Sequence, residues 1–353
     1  MREAQSLREL LRIRQHQAAW LRRLPGYLGS AVGYKYREGS GEFARTPEGR
    51  LIPSVLVFVR EKRKAHTLTA ATKIPDCFEG PKNLWCQTDI VTGALPHDAP
   101  PVPPPTPANQ RLLTDLNDKE LGLIGGLPLT TPEMHRGTAA CVVRIGNTLG
   151  FLTNWHVAGL PGAILTRQSP RLIIVGHTTI SILTAPHTPK DPDDLESFTS
   201  AKHRVDVGFV QFPGKPFATV KAGVYTLGRL GQPHQPDLGT MDLIGREVVG
   251  IGQKLGAQTG LIAAYGYEWR PDPEVNAWNA TDYLIVGRDN RPFAAPGDSG
   301  KLVVTADKER RPVALLWGGE RQEFWAAEAQ QTWSYASDIG LVLRLLGAAI
   351  YPG

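Results

Sequence analysis

Cysteine is scarce in this chain: Cys77, Cys86 and Cys141 are the only three in 353 residues. An odd and widely spaced set offers neither the pairing of a disulfide framework nor the spacing of a thiolate metal site, and such sparse usage suits a reducing compartment. Free thiols in a cytoplasmic protein are therefore expected. Long apolar runs are missing too. Stretches such as Leu51 to Val59 fall far short of the roughly 20 residues that a helical membrane span needs. Residues 1–24 are interrupted throughout by arginine and hold no apolar core followed by a small-residue cleavage site, so they do not read as a secretory signal. There is no internal repeat, and no low-complexity stretch beyond one proline-rich segment.

A strong excess of either charge is also absent, the net charge being +5 at pH 7. It is unevenly spread, since residues 1–64 hold 14 Lys/Arg against 6 Asp/Glu. That basic front lacks the interleaved aromatics of a strand-binding platform, reads as a solvated surface, and predicts no nucleic-acid partner. What remains is ordinary globular composition, 41% hydrophobic and 21% charged, in a chain whose length suits about two to three units rather than one core.

Leu7, Leu10, Leu11, Ala18 and Leu21 recur at helical spacing until Pro25-Gly26 stops the pattern, which predicts an amphipathic helix over residues 3–24 and sets off residues 1–24 as the first segment. A helix of this length is marginal alone. Its apolar stripe needs cover, and its place ahead of a separate module points to a homo-oligomer built through this helix. Residues 25–95, with β-like stretches at Ala31–Tyr36, Ser54–Val59 and Thr88–Val91, read as a small α+β module. Seven prolines between Leu95 and Pro107 open a linker and connector over 96–134. From 135 to 353 the chain reads as many short β segments, punctuated by Gly and Pro, with a closing helix at about 338–347.

The most informative tetrapeptide is Gly297-Asp298-Ser299-Gly300, just before a β segment. A nucleophilic serine needs a tight turn that projects its hydroxyl while backbone N–H groups converge on the substrate oxygen, and flanking glycines permit that backbone. Ser299 is the candidate nucleophile, with the N–H groups of Gly297 and Ser299 as candidate oxyanion donors. A serine hydroxyl becomes an effective nucleophile only when an imidazole takes its proton, and the imidazole needs a carboxylate to fix its tautomer. Among nine histidines only His156 directly follows an apolar strand, in Gly150-Phe151-Leu152-Thr153-Asn154-Trp155-His156. Asp206, in Arg204-Val205-Asp206-Val207-Gly208-Phe209-Val210, is the one acid poised at the start of a buried-strand pattern. No metal or other cofactor is called for: Asp191, Asp193 and Asp194 lack the glycine and closing glutamate of a calcium loop and read as a solvated acidic loop.

The order His156, Asp206, Ser299 within one all-β region resembles the trypsin-like (chymotrypsin-fold) serine peptidases. A wider match, carried by Leu56-Val57-Phe58-Val59, Glu79-Gly80-Pro81, Leu84-Trp85-Cys86, Leu243-Ile244-Gly245-Arg246-Glu247-Val248-Val249 and Leu316-Trp317-Gly318-Gly319, resembles the plant Narrow Leaf proteins over about Val32 to Leu346. The resemblance implies a mainly β fold, a chymotrypsin-like double β-barrel with a C-terminal helix, its first barrel at about 135–215 and its second at about 220–335. It also implies an intracellular serine endopeptidase acting on a protein or peptide, the rival being a silent peptide-binding module that uses the same cleft. Trp317, Gly318 and Gly319 would line that cleft and pair with substrate backbone, and Phe293 would floor the primary pocket, favouring small or apolar residues before the cut. Asp298 is expected to be held by internal hydrogen bonds or a side-chain cation, leaving Ile124-Gly125-Gly126 a decoy rather than a processing site.

Overall fold

The computed structural model describes residues 1–37, 42–62, 68–69, 72–92, 105–133, 135–168, 171–186, 201–216, 218–270, 278–288, 291–319 and 333–353. Most of the proline-rich segment and the acidic loop with Asp191, Asp193 and Asp194 lie outside the described residues.

Two six-stranded barrels hold most of the strands, with Arg136–Thr138 and Val142–Ile145 counted as one interrupted strand of the first. In the first, Val142–Ile145 pairs with Thr148–Thr153, which pairs with Ala201–Gln211; that strand pairs with Arg171–Pro186, and Arg171–Pro186 with Ala163–Gln168. Pro128–Thr130 closes the circuit, pairing with Ala163–Gln168 on one side and with Arg136–Thr138, just ahead of Val142, on the other. The barrel thus begins inside the stretch expected to be connector, which also holds the helix Pro107–Asp118, started by the Thr106 side chain accepting from the Asn109 N–H. In the second barrel the circuit runs Glu247–Gly252, Gly256–Trp269, Trp278–Gly287, Trp333–Asp338, Pro312–Gly319, Leu302–Thr305 and back to Glu247–Gly252.

The N-terminal module extends the second barrel's sheet. Tyr27–Tyr34 pairs antiparallel with Gly256–Trp269 on one edge and with Pro53–Val59 on the other. Pro53–Val59 is buried along its whole length, as the apolar run Val55–Val59 requires of a strand covered on both faces. Val55, Val57 and Val59 face Leu7, Leu10 and Ile13 of the N-terminal helix, while Leu56 and Phe58 pack into an aromatic layer with Tyr267, Trp269, Trp317, Trp333 and Tyr335.

The N-terminal helix is shorter than its sequence period and comes in two pieces, Leu7–His16 and Ala18–Leu21, separated at Gln17. Leu7, Leu10, Ile13 and Leu21 have no exposed surface, and the Arg14 guanidinium, also buried, donates to the carbonyls of Ser30 and Gly266. Of the stripe, Leu7, Leu10 and Leu21 are covered by the chain's own sheet while Leu11 and Ala18 stay partly exposed, so most of its cover comes from within the chain.

The closing helix, Ile339–Leu346, packs Ile339, Val342, Leu343 and Leu346 against the first-barrel core and ends at Gly347 in the left-handed conformation. The chain then returns as a strand, Ala348–Ile350, alongside Val142–Ile145 of the first barrel. Among the described residues no helix is long and apolar enough to cross a membrane.

Candidate active site

Strand Thr148–Thr153 leaves the first barrel into a single helical turn, Trp155–Ala158, which Gly159 ends at a φ of +67°. His156 stands on that turn with about a third of its side chain exposed. The turn is tied to the strand Ala201–Gln211 by the Asn154 side chain, whose amide donates to the Asp206 carbonyl at 2.7 Å. Asp206 has no exposed surface and a φ of +48°, a left-handed backbone that an aspartate in a strand adopts only under constraint. Its carboxylate takes up that constraint: both oxygens lie 3.0 Å from His156 Nδ1, and Oδ1 also accepts from the His156 backbone N–H at 3.2 Å. Arg204 Nη2 donates to Oδ2 at 2.7 Å. Burial by itself would raise the Asp206 carboxyl, but the hydrogen bond and charge of His156, together with Arg204, outweigh it and hold the group below the ordinary carboxylate range.

Ser299 lies on the turn before Leu302–Thr305, at the seam of the two barrels. The Thr138 N–H donates to the Ser299 carbonyl at 2.7 Å and the Thr138 hydroxyl to the Gly297 carbonyl at 3.1 Å, while the Gly300 N–H donates to Leu316 at 2.9 Å. The first barrel thus grips the turn from one side and the second from the other. Gly297 and Gly300 have φ of +103° and +91°. A side chain at Gly300 would begin 2.2 Å from the Thr138 carbonyl and 2.4 Å from the Thr153 hydroxyl, three residues before His156. Glycine there lets the serine turn seat against the strand that delivers the histidine.

Among the described residues the N–H groups of Gly297 and Ser299 donate to nothing, whereas the N–H groups of Asp298, Gly300 and Lys301 all have acceptors. Two unspent donors flank one residue in a turn whose other donors are satisfied, the pattern an anion-binding turn requires. The Ser299 hydroxyl makes no hydrogen bond to His156 among the described residues. Asp298, between the two donors, is fully buried and accepts from Lys254 N–H at 2.9 Å, Leu255 N–H at 3.2 Å and Ala295 N–H at 3.1 Å.

Trp317 is buried, its indole donating to Thr281 Oγ1 at 3.1 Å and its ring stacked between Trp269 and Tyr335, with the Arg204 guanidinium 4.5 Å from the ring centre. Gly318 and Gly319 continue that strand, pairing with Tyr335 and Ser334 on one edge, and Gly318 stays partly exposed. Phe293 differs from expectation. Its side chain has no exposed surface and its ring lies 4.2 Å below the Lys301 ammonium in the second-barrel core, so it offers no pocket floor. No cluster of His, Cys, Asp or Glu among the described residues is arranged to hold a metal ion. Arg204 and Lys301 were not singled out from sequence. Arg204 carried a weak signal as the basic residue before Asp206; Lys301 carried none, since it reads as the polar opening of a strand.

Two closed barrels, with the His156 and Asp206 side chains on the first and the serine turn leading into the second, define a mainly β, chymotrypsin-like fold. The sequence is similar to the Narrow Leaf 1 family at both ends. A family model described as the NARROW LEAF 1 N-terminal domain matches residues 2–91 and one described as the Nal1 C-terminal domain matches residues 194–351. Protein NARROW LEAF 1 of Oryza sativa subsp. japonica is 30% identical over 373 aligned positions, covering 98% of this chain and 60% of that protein's length. Among solved structures, Protease A of Thermobifida fusca is similar at 19% identity and a TM-score of 0.43, covering 65% of this chain and 99% of its own. The Nocardiopsis protease is similar at 16% identity and 0.42, covering 65% and 98%.

Proposed function

We propose that this chain is a serine endopeptidase working through an acyl-enzyme. The observation that carries the proposal is a His156 imidazole oriented by the buried Asp206 carboxylate, in a chain whose serine turn leaves the Gly297 and Ser299 N–H groups unspent. In the reaction so proposed, Ser299 Oγ attacks the peptide carbonyl as His156 Nε2 takes its proton. Asp206 keeps the proton on Nδ1 and stabilises the imidazolium, and the two N–H groups stabilise the negative charge that grows on the carbonyl oxygen. His156 then protonates the leaving amine, and water releases the acyl group by the same path in reverse. The partly exposed Gly318 offers a strand edge for the substrate backbone.

A binding module that holds a peptide without cutting it is the second reading, favoured by the missing Ser299–His156 hydrogen bond. A fluorophosphonate that phosphorylates activated serines separates the two. Wild-type protein is expected to gain one adduct on Ser299, and Ser299→Ala to lose both labelling and peptide hydrolysis by about 10³-fold or more. Turnover by Ser299→Ala at the wild-type rate would overturn the assignment; peptide binding by an unlabelled wild type would favour the binding module.

A further inference from the structure

Asp298 and Lys301 are both wholly buried, with Lys301 Nζ 3.7 Å from Asp298 Oδ2. Burying either charge alone is prohibitive, so the two must enter together. The lysine is fitted to the task. Its ammonium also donates to the Phe293 carbonyl and sits over the Phe293 ring. Burial pulls its pKa down, opposed by the nearby Asp298 charge. Room for the pair is made by one strand: a side chain at Gly250 would begin 2.9 Å from the Lys301 stem, and one at Gly252 would begin 2.2 Å from Asp298 Oδ1. These two positions share a face of Glu247–Gly252.

Charged Asp298 is what ties the serine turn down. Its oxygens gather N–H groups from residues 254, 255 and 295, anchoring the turn to the hairpin between Glu247–Gly252 and Gly256–Trp269. The two unspent N–H groups belong to the residues on either side of it. Resting on the serine-peptidase reading above, we propose that Lys301 is a positioning residue: by neutralising Asp298 inside the second barrel it holds the Gly297–Ser299 backbone in working form, so the chain is competent without being cut. A new amino terminus at Ile124 has no part in this. Ile124 lies in the strand Leu123–Gly125, paired with Val220–Val224, and Asp298 is already partnered.

The test uses the full chain with Lys301→Met, which keeps much of the shape and removes the charge, and Asp298→Asn/Lys301→Met, which buries no charge and guards against a single variant that fails to fold. The first readout is the fluorophosphonate labelling rate, with intact mass showing whether labelled chains are uncut. The second is hydrogen–deuterium exchange of residues 294–300 against the strand Pro312–Gly319. Expected are labelling of uncut wild type, labelling about 10²-fold slower in Lys301→Met, and at least tenfold faster exchange over 294–300 in both variants while Pro312–Gly319 stays protected. Wild-type exchange over 294–300 in either folded variant, or labelling confined to chains beginning at Ile124, would overturn the proposal. A wild type that never labels would count against the peptidase reading and leave exchange to decide on Lys301.

Discussion

Asp206 has two hydrogen-bonding neighbours on one carboxylate, the His156 ring nitrogen and the Arg204 guanidinium, and its left-handed backbone is the cost of facing both. Because its folded pKa lies below the ordinary value near 3.9, the stability it contributes is present above that value and is lost as pH falls through the folded pKa. Asp206→Asn is expected to cost about 1.5–3 kcal/mol at pH 7 by taking the charged acceptor away from His156 and Arg204. In urea melts at pH 7, 5 and 3 the gap between wild type and variant should be wide at the first two and narrowed at pH 3. A gap that is constant across the series would refute the assignment. His156 and Ser299 were legible in the sequence because each sits where a strand meets a turn, and Asp206 because a basic residue precedes it and a buried-strand pattern follows it. Lys301 was not, since its role exists only once Gly250 and Gly252 leave it room. The cysteines divide similarly: Cys86 and Cys141 are buried, which pushes their thiols up to about 12, while Cys77 is exposed.

At the scale of elements, periodicity located the helix Ile339–Leu346 and the core of strands such as Pro53–Val59, but overlooked Gly256–Trp269. That strand slips register between Ile262 and Ala264 and bends at Gly266, where φ is +65°, so its alternation changes phase and no single period describes it. The N-terminal helix misled in the other direction, its arginines extending the apparent period past the break at Gln17. Since its stripe is internal, Leu10→Ala is expected to lower the unfolding free energy by about 2–5 kcal/mol, measured by denaturant titration. A change below about 0.5 kcal/mol, the range of an ordinary surface substitution, would mean that the helix is not docked as described.

For the whole molecule, the barrels and the N-terminal module form one continuous sheet system. Ala201–His203 of the first barrel pairs parallel with Trp278–Ala280 of the second, the buried His203 and Asp282 meet at 3.0 Å, and the Ser337 hydroxyl donates to the Arg204 carbonyl at 2.8 Å. The N-terminal module is tied in with equal firmness, through Tyr27–Tyr34 on the edge of Gly256–Trp269. A chain of residues 105–353 would bare that edge and uncover the aromatic layer around Tyr267 and Trp269. It is expected to aggregate on expression, or to melt at least about 10 °C below the full chain by calorimetry; an equal melting temperature would show the barrels to be self-sufficient.

The returning strand Ala348–Ile350 also bears on the order of assembly. It lies against Val142–Ile145, a separation of about 200 residues, which at ordinary ribosomal speeds is a delay on the order of ten seconds or more between the two emerging. Tyr27–Tyr34 waits longer still for Gly256–Trp269. During synthesis both edges stand open, each a template for the wrong neighbour. The nascent chain should therefore depend on holding factors until its far end arrives, and slowing translation late in the message should harm yield more than slowing it early.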